Sequence, residues 1–263
     1  MPLELVDTHC HLDLDPLGGM VEQVLARAQA AGVRHCVSIG TTLEASRTNV
    51  QVARQHPMVR AAVGVHPNHA DSATEDILDQ LETLAVAPEV VAIGEVGLDC
   101  YRHAVSLARQ QDALRAFVAI AQRKHLPLLI HCRDAYEPLL ALLRSCARAP
   151  LAGVIHCASG PPEFIQGALE FGLHISFAGN VTFPNAQALR SLVPLVPDER
   201  LLIETDAPFL APQPVRGTTN EPAYVAHTAA AVAQLRGVTT EALGAITTRN
   251  ARRLFKLSEP GTS

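Results

Sequence analysis

The chain has 263 residues, 48% of them hydrophobic and 18% charged, with a formal net charge of -5. That length suits one large domain or two small ones, and the low charge content argues against a disordered or coiled-coil protein. The acidic balance argues against a protein that coats nucleic acid by wholesale phosphate neutralisation, although it leaves room for a local basic mouth.

Eight apolar or β-branched runs read as strands: 3–9, 33–39, 59–65, 90–95, 126–131, 151–156, 172–177 and 200–205. Near-continuous apolar runs mark strands buried on both faces. Between them lie patterns with apolar residues at three- and four-residue spacing, clearest over 106–124 and 134–147. Strict alternation predicts a parallel sheet. Eight such units in this length predict a closed (β/α)8 TIM barrel. The rival, an open doubly wound sheet, usually carries a glycine-rich turn after its first strand; here "DTHCHLD" stands in that place. A loop rich in proline and glycine follows the eighth strand, and the stretches 221–236 and 239–255 read as additional C-terminal helices. No linker or composition break divides the chain, so residues 1–263 are expected to form a single barrel domain.

No run approaches the roughly 20 apolar residues of a membrane span, and Glu4 and Asp7 interrupt any apolar leader. The six cysteines include no C-x-x-C pair, which argues against a structural zinc knuckle. The expectation is a reduced, cytoplasmic protein with no membrane and no obligate protein partner.

Polar residues gather at the strand ends. His9 and His11 close the first strand, Glu95 the fourth, His131 the fifth, His156 the sixth and Asp206 the eighth. In a barrel these ends converge on one mouth, where active sites lie. Four histidines, a glutamate and an aspartate form a mixed nitrogen and oxygen set suited to zinc, manganese or a similar ion. Six groups exceed what one zinc takes and suit two divalent ions sharing a bridging carboxylate. The only lysines, Lys124 and Lys256, lie away from these ends, so the bridge falls to Glu95. Period-two alternation puts His9 and His11 on one strand face and turns Cys10, Cys132 and Cys157 toward the helices. Taken singly, each histidine is more simply a hydrogen-bonded core or surface residue. Six together at five strand ends are costly to bury without a cation.

"DTHCHLD", "VGVHPNHA", "IGEVGLDCYR", "LPLLIHCRDA", "VIHCASG", "IETDAPFL", "RGTTNEPAYV" and "TTRNARRLF" occur in the order and spacing of the TatD family of metal-dependent hydrolases, which the chain resembles over essentially its whole length. The resemblance implies a divalent-metal hydrolase, foremost a 3′-to-5′ exodeoxyribonuclease. It also implies an alternative: an esterase or amidase such as a D-aminoacyl-tRNA deacylase. The substrate is then a nucleic-acid end, single-stranded DNA first, with RNA or tRNA as variants. The resemblance further implies that His9, His11, Glu95 and Asp206 hold one ion and Glu95, His131 and His156 the other, each Mg, Mn or Zn. In such a site the ions lower the pKa of a shared water, while Asp206 orients it or takes its proton. Two positions depart from the family pattern: Ala158 and Cys100 stand where an aromatic is usual, and both are expected near the substrate.

Four further residues share the mouth. His66 is expected to contact phosphate or the leaving group, or else to cap its loop with Asn68. Arg133 either grips a phosphate or pairs with Asp134 or Glu137. Glu204 shares a face with Asp206 and is expected to hydrogen-bond a metal-binding histidine from behind. Tyr101 stacks on a base or covers the rim. Asp7 and Asp13 are expected to support the loops rather than bind metal.

Overall fold

The structure, a computed structural model, describes residues 3–258; the expected domain of residues 1–263 runs past both ends of that range. Eight parallel strands follow one another around the sheet in chain order: β1 (Leu5–Cys10), β2 (Val33–Ile39), β3 (Val59–Val63), β4 (Val90–Asp99), β5 (Leu128–Arg133), β6 (Gly153–Ile155), β7 (His174–Phe177) and β8 (Leu201–Ile203). Helices α1 (Val21–Ala30), α2 (Leu43–Gln55), α3 (Glu75–Leu84), α4 (Leu107–Lys124), α5 (Tyr136–Cys146) and α6 (Pro162–Glu170) return between the first seven strands. After β7 the connection is made by single turns and a four-residue helix, α7 (Gln187–Arg190), rather than a full one. Two longer helices, α8 (Val225–Arg236) and α9 (Thr240–Phe255), complete the described chain. Side-chain oxygens start several of these helices: Thr42, Thr74, Ser106 and Thr239 each accept the N–H three residues on. The expected barrel is therefore what the structure shows. Among the described residues no helix is long and apolar enough to cross a membrane.

The barrel closes sparingly. Between β8 and β1 there is one parallel bridge, Cys10 to Ala207, made by His11 N–H to the Ala207 carbonyl (2.7 Å) and Asp206 N–H to the His9 carbonyl (2.9 Å). The Asp7 side chain reinforces this seam. It accepts the Thr205 N–H (2.9 Å) and hydroxyl (2.6 Å). Burial pushes its carboxyl up to about 8, against the lowering pull of those Thr205 bonds.

Two apolar clusters hold the layers. The larger lies between sheet and helices, with Leu5, Cys10, Ile93, Ile130, Cys132 and Ile155 pointing outward into it. The smaller fills the lower barrel with Val6, Val37, Ala62, Ala92, Leu129, Val154 and Leu202. Leu254 and Phe255 at the end of α9, with Leu257, plug it from below. Every open position is thus at the C-terminal end of the strands, where a site can form. Replacing the buried plug, Phe255→Ala, should cost about 3–5 kcal/mol, read as a lower midpoint in chemical denaturation.

Candidate metal centre

The strands aim their side chains by two different routes. β5 keeps strict alternation, so Leu129 and His131 share the interior face; His156 lies just past the end of β6, and Glu204 and Asp206 lie past the end of β8. β1 and β4 do not alternate strictly. The register of β1 against β2 shifts between Asp7 and Cys10, and that of β4 against β5 shifts between Ile93 and Val96. Val6 and Thr8 face inward below the first shift, and His9 and His11 face inward above it. An irregularity of this kind re-aims a side chain. The period-two argument for β1 therefore holds only above the shift. Nor does Glu95 end its strand as expected: β4 continues to Asp99.

Six groups meet above the plug. His9 Nε2 lies 3.3 Å from His11 Nε2. Glu95 Oε2 is 3.6 Å from the first and 3.8 Å from the second. Asp206 Oδ1 is 3.7 and 3.6 Å from the same two nitrogens. A tetrahedral ion with bonds of about 2.1 Å separates its ligand atoms by roughly 3.4 Å, which these five separations approach, and His9, His11 and Asp206 form a group that could hold an ion. The other oxygen of Glu95, Oε1, lies 2.9 Å from His131 Nδ1 and 2.9 Å from His156 Nε2, and those nitrogens are 3.2 Å apart. One carboxylate thus faces two nests of imidazole nitrogen.

The backs of the rings say which nitrogens are free to ligate. His11 Nδ1 lies 3.2 Å from the Ile39 carbonyl, His131 Nε2 lies 3.2 Å from Asp99 Oδ2, and His156 Nδ1 lies 3.3 Å from Glu204 Oε1. Each outer acceptor calls for a proton on the outer nitrogen and leaves the inner one a bare lone pair. Lone pairs and carboxylate oxygens then point at one another in a buried space, an arrangement that repels unless a cation fills it. Glu204 also accepts the Cys157 N–H at 2.6 Å.

Without an ion, protons take up part of this charge. Burial would raise Glu95, but the His156 charge and bonds from His131 and His156 hold it well below the usual carboxylate range. Burial likewise opposes the charge on Asp206, and His11, His9 and His156 pull it down. His156 is driven well above its ordinary value: burial opposes, while Glu95 and Glu204 prevail. His11 and His131 rise more modestly against burial, held by Asp206 and by Asp99 with Glu95. His9, with no acceptor behind Nδ1 among the described residues, is lowered by burial and by His156.

His66 differs from the others. Its Nδ1 accepts the Asn68 N–H at 3.1 Å, so a neutral ring carries its proton on Nε2, which lies 3.5 Å from Glu95 Oε1. Burial lowers the ring to about 4. His66 therefore presents a neutral N–H donor to the centre while also capping its loop. Arg133 is exposed and makes no ion pair with Asp134 or Glu137 among the described residues; its guanidinium lies 3.7 Å from the centre of the Tyr101 ring. Tyr101 is 55% exposed on the rim.

Three features escaped the sequence reading. Asp99 stands behind His131. Phe209, 53% exposed, lies beside His11 with ring centroids 6.1 Å apart. Arg216 covers the Phe183 ring as Arg133 covers Tyr101. A groove of about 530 Å³, lined by Thr42, Asn68, His69 and Val105 among others, opens along the turn that follows His66. Ala158 is buried, and Cys100 packs half-buried against the core between Asp99 and Tyr101. One expectation needs correction. Cys157 lies beyond the end of β6, and its sulfur accepts from Asn180 Nδ2 (3.6 Å) instead of packing against the helices.

The TatD related DNase family matches residues 6–256. The chain belongs to this family. It is 37% identical over 254 residues to YabD, an uncharacterized metal-dependent hydrolase of Bacillus subtilis, covering 97% of this chain and all of that one. It is 39% identical over 239 residues to the 3′-5′ ssDNA/RNA exonuclease TatD of Enterobacter lignolyticus, covering 89% and 92% of the two. The crystal structure of YJJV, a TatD homolog from Escherichia coli, superposes with a TM-score of 0.92 at 30% identity, over 98% of this chain and all of that one. This TatD-family chain is thus a metal-dependent hydrolase acting on ester bonds.

Because His156 and its neighbours hold protons in the ion-free cage, ion binding should release protons and strengthen as pH rises from 5 toward 8, seen as a buffer-dependent heat in calorimetry. Added Mn²⁺ should raise the melting temperature, and Glu95→Gln should abolish that rise.

Proposed function

We propose that this enzyme is a two-metal phosphodiesterase that removes nucleotides from the 3′ end of single-stranded nucleic acid. The observation that carries the reading is the Glu95 carboxylate set between two nests of inward nitrogens, with a neutral His66 N–H facing the same point. The exonuclease name borne by relatives at 38–39% identity supports the substrate class. Six free thiols suit a reducing cytoplasm.

His9, His11, Glu95 and Asp206 would hold one divalent ion, and Glu95, His131 and His156 the other; Mg, Mn or Zn suits the set. When bound, such ions would activate water at neutral pH and neutralise charge on the phosphoryl oxygens. The chain's own groups do the rest. Asp206 is the most exposed carboxylate of the cage, and its side chain opens on the mouth. It is placed to take the proton of the attacking water. Attack forms a new P–O bond and breaks the bond from phosphorus to the 3′ oxygen, on which charge develops. The His66 N–H is the donor placed to stabilise that charge. At the rim, Arg133 presents its guanidinium to a phosphate with Tyr101 as its backing, and the open ring of Phe209 offers a stacking face to a base.

With Mg²⁺ or Mn²⁺, the protein should release mononucleotides from the 3′ end of single-stranded DNA. Retained metal without release, alongside cleavage of D-aminoacyl-tRNA, would replace this reading with the deacylase. His66→Ala should lower kcat by about 10²–10³ with metal content unchanged, measured by single-turnover cleavage and elemental analysis. Asp206→Asn should lower kcat by about 10²–10⁴ and also weaken one ion.

A further inference from the structure

Asp99 is not among the six cage groups, yet it is buried and every polar atom it has is engaged. Its Oδ1 accepts the Tyr101 N–H and the Arg102 N–H, each at 2.8 Å. Its Oδ2 lies 3.2 Å from His131 Nε2. The buried Gln110 brackets its backbone: Oε1 accepts the Asp99 N–H at 2.7 Å, and Nε2 donates to the Asp99 carbonyl at 3.0 Å. Asp99 also pairs with Arg133 across the β4–β5 ladder, and Arg133 lies over Tyr101. One carboxylate therefore touches both a cage histidine and the turn that carries the rim aromatic.

An ionised carboxylate only accepts hydrogen bonds. With Oδ1 occupied by two backbone N–H groups, Oδ2 is satisfied by a proton on His131 Nε2. A neutral imidazole has one such proton, so Nδ1 keeps its lone pair, and Nδ1 is the atom that faces Glu95 and His156. We propose that Asp99 is a positioning residue: it selects the His131 tautomer that can bind an ion through Nδ1, and with the same carboxylate it ties the Tyr101 turn to the metal centre. The inference rests on the two-ion reading of the cage.

The substitution Asp99→Asn separates the two tasks. An asparagine whose oxygen keeps the turn N–H groups presents its NH₂ to the ring. His131 must then accept at Nε2 and carry its proton on Nδ1, where it blocks the ion.

The test uses the full chain. Nitrogen-15 NMR of the ion-free protein, at a pH where His131 is neutral, reads the tautomer directly. Calorimetric titration with Mn²⁺ reads the two classes of ion site. The wild type should show the proton on Nε2. Asp99→Asn should move it to Nδ1 and weaken one class by about 10–100-fold, leaving the His9–His11–Asp206 class unchanged. A wild-type ring protonated on Nδ1 overturns the proposal whether or not the variant folds. So does a variant that titrates like the wild type, or one that weakens both classes equally. A wild type that binds a single ion sinks the two-ion reading instead, and the tautomer measurement still judges Asp99.

Discussion

Everything in this site is arranged around the buried carboxylate of Glu95. Nitrogens from five imidazoles lie within 3.8 Å of its two oxygens. A group of that kind is tolerated inside a protein only with compensating charge. When neutral, His11, His131 and His156 turn bare nitrogens toward it and His66 turns a proton, while His9 has no partner behind its ring among the described residues. The difference is set behind the rings, by a carbonyl, two carboxylates and a backbone N–H. Outer contacts thus divide ligands from donors although all five side chains are alike.

The backbone delivers these groups with little regular sheet to spare. Two of the six come from β1 and one from β4, and each of those strands slips its register just before the groups it supplies. The seam between β8 and β1 is a single bridge, and its two hydrogen bonds belong to the residues flanking Cys10 and to Asp206 and Ala207. Asp206 itself adopts a left-handed backbone with φ of 57°, a conformation aspartate tolerates better than most residues. Barrel closure and assembly of the first nest are therefore one event.

Much of this was legible in the residues. The alternation of apolar runs and helical periods shows the barrel, because strands buried on both faces leave an unmistakable run of hydrophobics. The six cage groups stood out since polar residues at the ends of such runs need a reason. What could not be read is local geometry. The slips in β1 and β4 carry no residue signature, so the apolar run stops at Glu95 whereas β4 runs on to Asp99. Asp99 is hidden for the same reason: only when the strand extends does it fall on the interior face with Glu95, two alternations on. Arg133 and Tyr101 were each placed at the mouth, but their stacking is a contact between neighbouring strand ends that spacing does not reveal. Phe209 lay unnoticed in "IETDAPFL" because an aromatic after proline reads as ordinary packing.

The seam has a consequence for how the enzyme comes into being. Asp7 and Thr205, which grip each other across it, are 198 residues apart in the chain. On a ribosome, the strand bearing His9 and His11 emerges long before its partner. The nascent polypeptide therefore carries two histidines and a glutamate with no aspartate to complete the nest. A chain that stops short of residue 206 lacks the carboxylate that completes this nest, so the centre is whole only once nearly four-fifths of the polypeptide has been made.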